Sequence, residues 1–262
     1  MTAPPRPTPR PLLVPAAIAV AVLLVPLVGL LQRAPWSTIV DRLTSDAVLD
    51  ALRVSLVVSL GAAGACLVLG LPLAWVLARS RARGIAALRV LVLLPMVLPP
   101  VVGGTALLFA LGRRGLFGEY LDRWFGITLP FTTTGAIVAA TFVALPFFVT
   151  TVESALRDAG DDLDEAAATL GATPWQTFVH VTVPSTRGAI GAGLALSWAR
   201  ALGEFGATIT FAGSLGGRTR TLPVETFLAL ETDPESAIAI SVLLLAISLA
   251  VLVVLRGRWL QR

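Results

Sequence analysis

The sequence predicts an all-α integral membrane protein with six transmembrane helices, and three observations lead there. The chain of 262 residues is 56% hydrophobic and only 14% charged, with a mean hydropathy of +0.84, whereas about a quarter of an ordinary soluble domain is charged. Apolar runs at residues 12–31, 54–78, 90–111, 134–151, 188–211 and 237–255 are each about long enough to cross the hydrocarbon core as a helix. All 20 basic residues are Arg, and all but Arg200 lie between the runs. That scatter fits control of topology and offers no concentrated basic face for nucleic acid. The length fits one domain, read as residues 12–262. Cys66 has no second cysteine to pair with, so no intrachain disulfide forms.

Residues 1–11 are Pro-rich, carry Arg6 and Arg10, and read as a disordered basic lead. The first run exceeds a signal-peptide core, and no small-x-small cleavage site precedes Gln32 and Arg33, so it reads as a retained span. A polar segment balances Arg33, Arg42 and Arg53 against Asp41, Asp46 and Asp50. In span two, Gly61, Gly64 and Gly70 offer close helix contacts, and Pro72 predicts a kink. Arg79, Arg81, Arg83 and Arg89 then crowd the most basic connection of the chain.

Span three contains Pro95, Pro99, Pro100, Gly103 and Gly104, helix breakers at membrane depth. Irregular backbone there survives only under protein or beside a water-filled cavity, so the span either lines a pore or is kinked by packing. Trp124 and Phe125 in the next loop suit the membrane interface. Span four carries Pro146 as a further kink, and its helix is long enough to run on until Glu153 and Arg157 face each other at i, i+4.

Residues 160–185 form a long polar interruption with its own architecture. Asp161 or Asp162 can cap a short helix, Asp164 and Glu165 place negative charge in its first turn, and Gly171 can end it in the left-handed conformation. Thr173 supplies a second N-cap with Pro174 at the first helical position, and Trp175, Phe178 and Val179 share one face. Pro184 is expected to stop this second helix by pushing Val183 toward extended geometry. One reading is an amphipathic segment on lipid; its acidic start would be repelled by anionic headgroups, which favours a knob that docks into a protein pocket.

In span five, a 3.6-residue period places Gly193, Ser197, Arg200, Glu204 and Thr208 on one narrow face, with Arg200 and Glu204 at pairing distance along the helix. A charge at the centre of a span costs roughly 2.5–3.5 kcal/mol, so this face meets protein or water. Either it marks a translocation pathway, with Thr105 of span three as a further donor, or it is an ion pair that fixes helix packing. Six spans put both termini on one side. That side carries eleven Arg against eight on the other, and its short basic loops make it cytoplasmic, together with the knob.

The spacing of Glu165, Ala166, Ala167, Gly171, Val181, Val183 and Pro184 resembles the EAA loop of ABC importer permeases, with Val where that family usually has Ile and Leu. GLPLAWVLAR at 70–79, LPMVLPPVVGG at 94–104, ARALGEFGAT at 199–208 and GRTRTLP at 217–223 resemble permeases for molybdate, tungstate and sulfate, and most of all molybdate permeases. The resemblance covers nearly everything from residue 54 onward. It implies a multi-pass subunit of a bacterial-type cell membrane that carries a tetrahedral oxyanion inward and performs no catalysis itself. ATP and Mg would be used by two copies of a separate cytoplasmic ATPase; an extracytoplasmic binding protein and a second copy of this chain would complete the assembly. Glu165 would meet a basic residue of the ATPase, Ala166 and Ala167 would allow close approach, and Gly171 would set the angle of the knob; Pro174, Trp175, Val181 and Pro184 complete the coupling set. Sulfate, thiosulfate or tungstate is the alternative cargo. A membrane-embedded enzyme fits poorly, because His180 is the single histidine, no metal-ligand cluster is present, and no phosphate-binding Gly-rich motif occurs. An ion-coupled secondary transporter finds no support in any evident inverted repeat.

Overall fold

In the computed structural model, which describes residues 10–160 and 162–259, every regular element is helical. The expected basic lead at 1–9, the cap at Asp161 and Arg262 lie outside the described residues; Arg10–Leu12 form a 3₁₀ turn, so the lead gives way to structure two residues earlier than expected. The first long helix, α1 (Leu13–Gln32), buries none of its residues within the chain and touches the rest mainly through the last helix. A short α2 (Ile39–Leu43) precedes α3 (Asp46–Arg79), which runs unbroken through Pro72 and starts eight residues ahead of the apolar run that predicted it.

The centre is built where α3 meets α7 (Thr133–Asp158) and α11 (Arg187–Leu202). Val54, Val58, Ala62, Cys66 and Ala74 of α3 interlock with Ala136, Ala140, Ala144, Phe148 and Val152 of α7. Lipid tails are as apolar as Leu, so association depends on small residues that let helices approach. A Cβ on Gly70 would sit 2.6 Å from the Phe148 ring and one on Gly61 2.8 Å from Ile137, whereas Gly64 meets nothing within 4 Å and plays no such part.

Span three is not one rod. It divides into α4 (Ile85–Val97) and α5 (Pro100–Leu111), which meet at 117° across Leu98 and Pro99. Both prolines supply the cause: Pro99 holds Leu98 extended and Pro100 starts a new helix. A short amphipathic α6 (Gly118–Phe125) leaves Trp124 and Phe125 exposed.

After α7 come α8 (Asp162–Thr169) and α9 (Pro174–Thr177), joined by Gly171 at φ +85°. The expected stop at Pro184 does not occur. A π turn over Phe178–Thr182 leads into α10 (Val183–Ser185), and Val183 is helical at φ −63°, ψ −47°. A π turn widens the ladder to i→i+5, which makes room for a ring that would otherwise strike the i−4 carbonyl. The chain thus passes almost without interruption from the knob into α11.

Span five is also broken: α11 ends at Leu202, residues 203–205 are irregular, and α12 (Gly206–Phe211) follows. Among the described residues, four helices have the length and hydropathy of membrane spans, and the bent α4/α5 pair makes a fifth; α11 and α12 do not form an unbroken sixth. The remaining elements are α13 (Leu222–Thr232) and α14 (Pro234–Trp259), tied to α2 by Arg42, which pairs with Asp233 at 2.8 Å and with Glu235.

Candidate functional site

Two places gather the residues singled out by sequence. At the knob, the Thr173 hydroxyl accepts from the Gln176 amide while the Gln176 side chain accepts from the Thr173 amide, a complete capping box that starts α9. Glu165, Ala166, Gly171, Pro174, Trp175 and Pro184 are exposed, and Ala167 and Val181 are half-buried. The tip is more apolar than the sequence suggested: Leu170 is 88% exposed beside Gly171, and Trp175 is 71% exposed. Sequence reasoning missed Leu170, although an apolar residue directly before a helix-ending Gly was the signal. Isolated exposed apolar side chains need no explanation, but these two crown a projecting turn whose base is acidic.

The knob is held to the bundle by two kinds of contact. Trp175 and Phe178 lie 5.8 Å apart, and Phe178 meets the edge of Trp75 on α3 at 6.0 Å. The Asp164 carboxylate faces Arg79 Nε, the last residue of α3, at 3.0 Å and accepts from the Thr182 hydroxyl at 3.1 Å. Neither Trp75 nor Arg79 was chosen from sequence, since both stand far from the knob along the chain.

The second place is a cleft of about 290 Å³ lined by Pro100, Val101, Arg200, Gly203, Glu204, Phe205 and Gly206. Both helix breaks open onto it. Arg200 Nη1 pairs with Glu204 Oε2 at 2.7 Å, as the i, i+4 spacing predicted, and among the described residues no other side chain pairs with the guanidinium. Glu204 is 1% exposed, and its Oε1 accepts from the Ala207 amide at 2.8 Å, so the carboxylate also secures the first turn of α12. The cleft therefore carries a cation and an anion but no net charge.

The single stripe drawn through span five is corrected by the break. A continuous 3.6-residue period cannot be carried across 203–205, and Thr208 is buried in α12, away from the lining, with a hydroxyl that finds no partner among the described residues. Ser197 is fully buried and donates to Leu194 O at 3.1 Å; Gly193 packs against Phe148. Thr105 donates to Val101 O at 2.9 Å. Of the five pathway candidates, the structure brings together Arg200 and Glu204 alone. Pro100 and Gly206, which it adds, pack so closely that a Cβ on Gly206 would lie 2.8 Å from Pro100 Cβ.

Comparison with known proteins gives consistent matches. Residues 70–262 match the family model of binding-protein-dependent transport system inner membrane components. The chain is 46% identical over 252 residues to the molybdenum transport system permease protein ModB of Mycobacterium tuberculosis, covering 96% of this chain and 94% of that one. The Escherichia coli K12 protein of the same name is 41% identical over 213 residues, covering 81% and 93%. The sulfate transport system permease protein CysT of that organism is 39% identical over 235 residues, covering 88% and 84%. Among solved structures, a bacterial ABC transporter involved in the import of alginate superposes with a TM-score of 0.73 at 19% identity, over 94% of this chain and 92% of that one. At that identity the likeness establishes the fold.

Proposed function

We propose, on the premise that the chain belongs to the family of binding-protein-dependent transport system inner membrane components, that it is the permease subunit of an ABC importer that carries molybdate into the cell. It is a multi-pass protein of the inner membrane and a transport component without catalysis of its own. Molybdate is favoured over sulfate because the Mycobacterium tuberculosis molybdenum permease matches at 46% identity over 96% of this chain, against 39% over 88% for the Escherichia coli sulfate permease. The cleft suits either dianion, since charge and shape are shared.

The observation that carries the mechanism is the continuity of the knob with a broken membrane helix. Force applied at Leu170 and Trp175 passes along α9, the π turn and α10 into α11, which carries Arg200 in its last turn and ends at the break beside the cleft. A partner ATPase that binds and hydrolyses ATP with Mg would supply that force, with Glu165 meeting one of its basic residues. The bent α4/α5 pair and the divided α11/α12 supply the third and fifth of six membrane crossings, with both termini and the knob in the cytoplasm. An extracytoplasmic binding protein delivers the anion; one knob per chain and two ATPase subunits call for two copies of this chain. Inside the cleft, Arg200 offers donors to an oxyanion while Glu204 keeps the net charge at zero, so the dianion meets hydrogen bonds without a deep electrostatic well.

Reconstitution with an ABC ATPase from the same organism is the test. Molybdate accumulation in vesicles that requires ATP, and retention of the ATPase on the tagged permease, are expected. Accumulation driven by an ion gradient without nucleotide would replace this reading with a secondary transporter.

A further inference from the structure

The joint between knob and bundle is loosely filled, and this gives one ion pair an unusual share of the connection. A half-open pocket of about 260 Å³ lies there, lined by Trp75, Asp164, Ala168, Ala172, Phe178 and Thr182 among others, and the buried Trp75 Nε1 has no hydrogen-bond partner among the described residues. A close-packed interior transmits displacement because its parts cannot slide. Here the apolar link is a single edge contact of Phe178 on Trp75, and the polar link is the Asp164 carboxylate, with Oδ2 on Arg79 of α3 and Oδ1 on Thr182 of the π turn.

Arg79 is the last residue of α3, and the end of that helix is fastened to two others. Glu153 of α7 is 8% exposed and receives Arg89 of α4 at 2.8 Å and Arg157 at 3.1 Å. Both guanidinium groups also donate to Leu77 O, one of the carbonyls that the end of α3 leaves unpaired, at 3.2 and 3.5 Å. Whatever moves Arg79 thereby moves the start of α4, and α4 leads to the 117° bend whose far side, Pro100 and Val101, lines the cleft.

We infer that Arg79 is a coupling residue: its ion pair with Asp164 makes the end of α3 part of the knob, so motor displacement reaches the cleft through α4 and α5 as well as through α11. Without the pair, the knob would drive one wall of the cleft and leave the other behind. ATP would still be hydrolysed, and less anion would cross per ATP. The inference rests on the ATP-driven reading above.

The experiment compares the reconstituted complex of permease, ATPase and binding protein carrying wild-type chain, Arg79→Gln, Asp164→Asn, or the exchange of Arg79→Asp with Asp164→Arg. Molybdate imported per ATP hydrolysed is the readout, with retention of the ATPase as a check on assembly. Each single variant is expected to assemble and to lose about tenfold in that ratio, a coupling change of ordinary size, and the exchange is expected to return most of it. Unchanged ratios in both single variants overturn the proposal, as does an exchange variant that stays uncoupled. Where a single variant fails to assemble, the exchange decides alone: coupled import supports the latch, and any other result rejects it. A wild-type complex without ATP-dependent uptake would reject the transporter reading itself, and that shows in the control.

Discussion

Replacing Glu204 by Gln isolates the charge balance of the cleft. The amide keeps the shape and can still accept the Ala207 N–H, so α12 retains its first turn. It removes the partner of Arg200 and leaves the cleft with one net positive charge. Two unit charges on the order of 8 Å apart interact by about 2 kcal/mol at an effective dielectric constant near 20, so a dianion in the cleft is relieved of about 4 kcal/mol of repulsion. Allowing half of that for water in the open cleft leaves about 2 kcal/mol, or roughly thirtyfold in affinity. Radiolabelled molybdate binding to the nanodisc-embedded complex without binding protein should therefore rise about thirtyfold. ATP-driven uptake should slow by as much as the same factor, because a deeper well delays exit. Binding that stays unchanged or weakens in an assembled Glu204→Gln complex with normal uptake would show that the anion does not pass Arg200.

Other positions answer separate questions. Gly104 packs so tightly on α12 that a Cβ would lie 2.8 Å from Ala207 O and overlap the Thr210 hydroxyl; Gly104→Val should cost about 1–3 kcal/mol, read as a lowered unfolding temperature, and slow uptake. Gly171 has open space around it but φ of +85°. Gly171→Val should therefore cost about 1–2 kcal/mol and release the ATPase in a pull-down, while Gly171→Asn, which tolerates the left-handed region, should retain it. Hydrogen bonds from the Ser236 hydroxyl and amide, aided by Arg42, hold the Asp233 carboxyl below its ordinary value of 3.8. A lowered pKa adds stability above the unfolded value that is lost as pH falls through the folded one. Hydrogen exchange in the first turn of α14, corrected for intrinsic rates, should thus be even from pH 5 to 8 and quicken only below about 3.8, with Asp233→Asn insensitive to that acid step.

Hydropathy made the apolar runs legible because burial in lipid demands long uninterrupted stretches, and the knob was legible because Gly171, Thr173 and Pro174 act within a few residues of themselves. The interruptions inside the runs were harder to read. Apolar content is the same on both sides of 203–205, so a periodic stripe ran smoothly over a backbone that is broken there. Gly203 and Gly206 flanking a charged residue were the local sign. Pro184 misled for the opposite reason: the rule that proline ends a helix assumes an α ladder, and the π turn before it changes the ladder. Arg79 and Asp164 carry no mutual signal at all, since only the tertiary fold brings the end of α3 to the knob.

These illegible features belong together physically. An unbroken helix at membrane depth satisfies its own backbone and resists bending, so a pathway that must open and close needs breaks, and breaks need cover. The bend at Leu98–Pro99 and the gap at 203–205 cover each other through the contact of Pro100 with Gly206, and the Glu204 carboxylate takes up an amide freed by the gap. Each break is reached from the knob by its own helix, α11 directly and α4 by way of the knot at Leu77. Two walls packed on each other, Pro100 on Gly206 and Gly104 on Ala207, cannot open if only one is pulled. On the proposed reading, a motor acting on a single exposed turn would require a branch point close to that turn, and the Asp164 carboxylate, shared between α3 and the π turn, stands where the two routes divide.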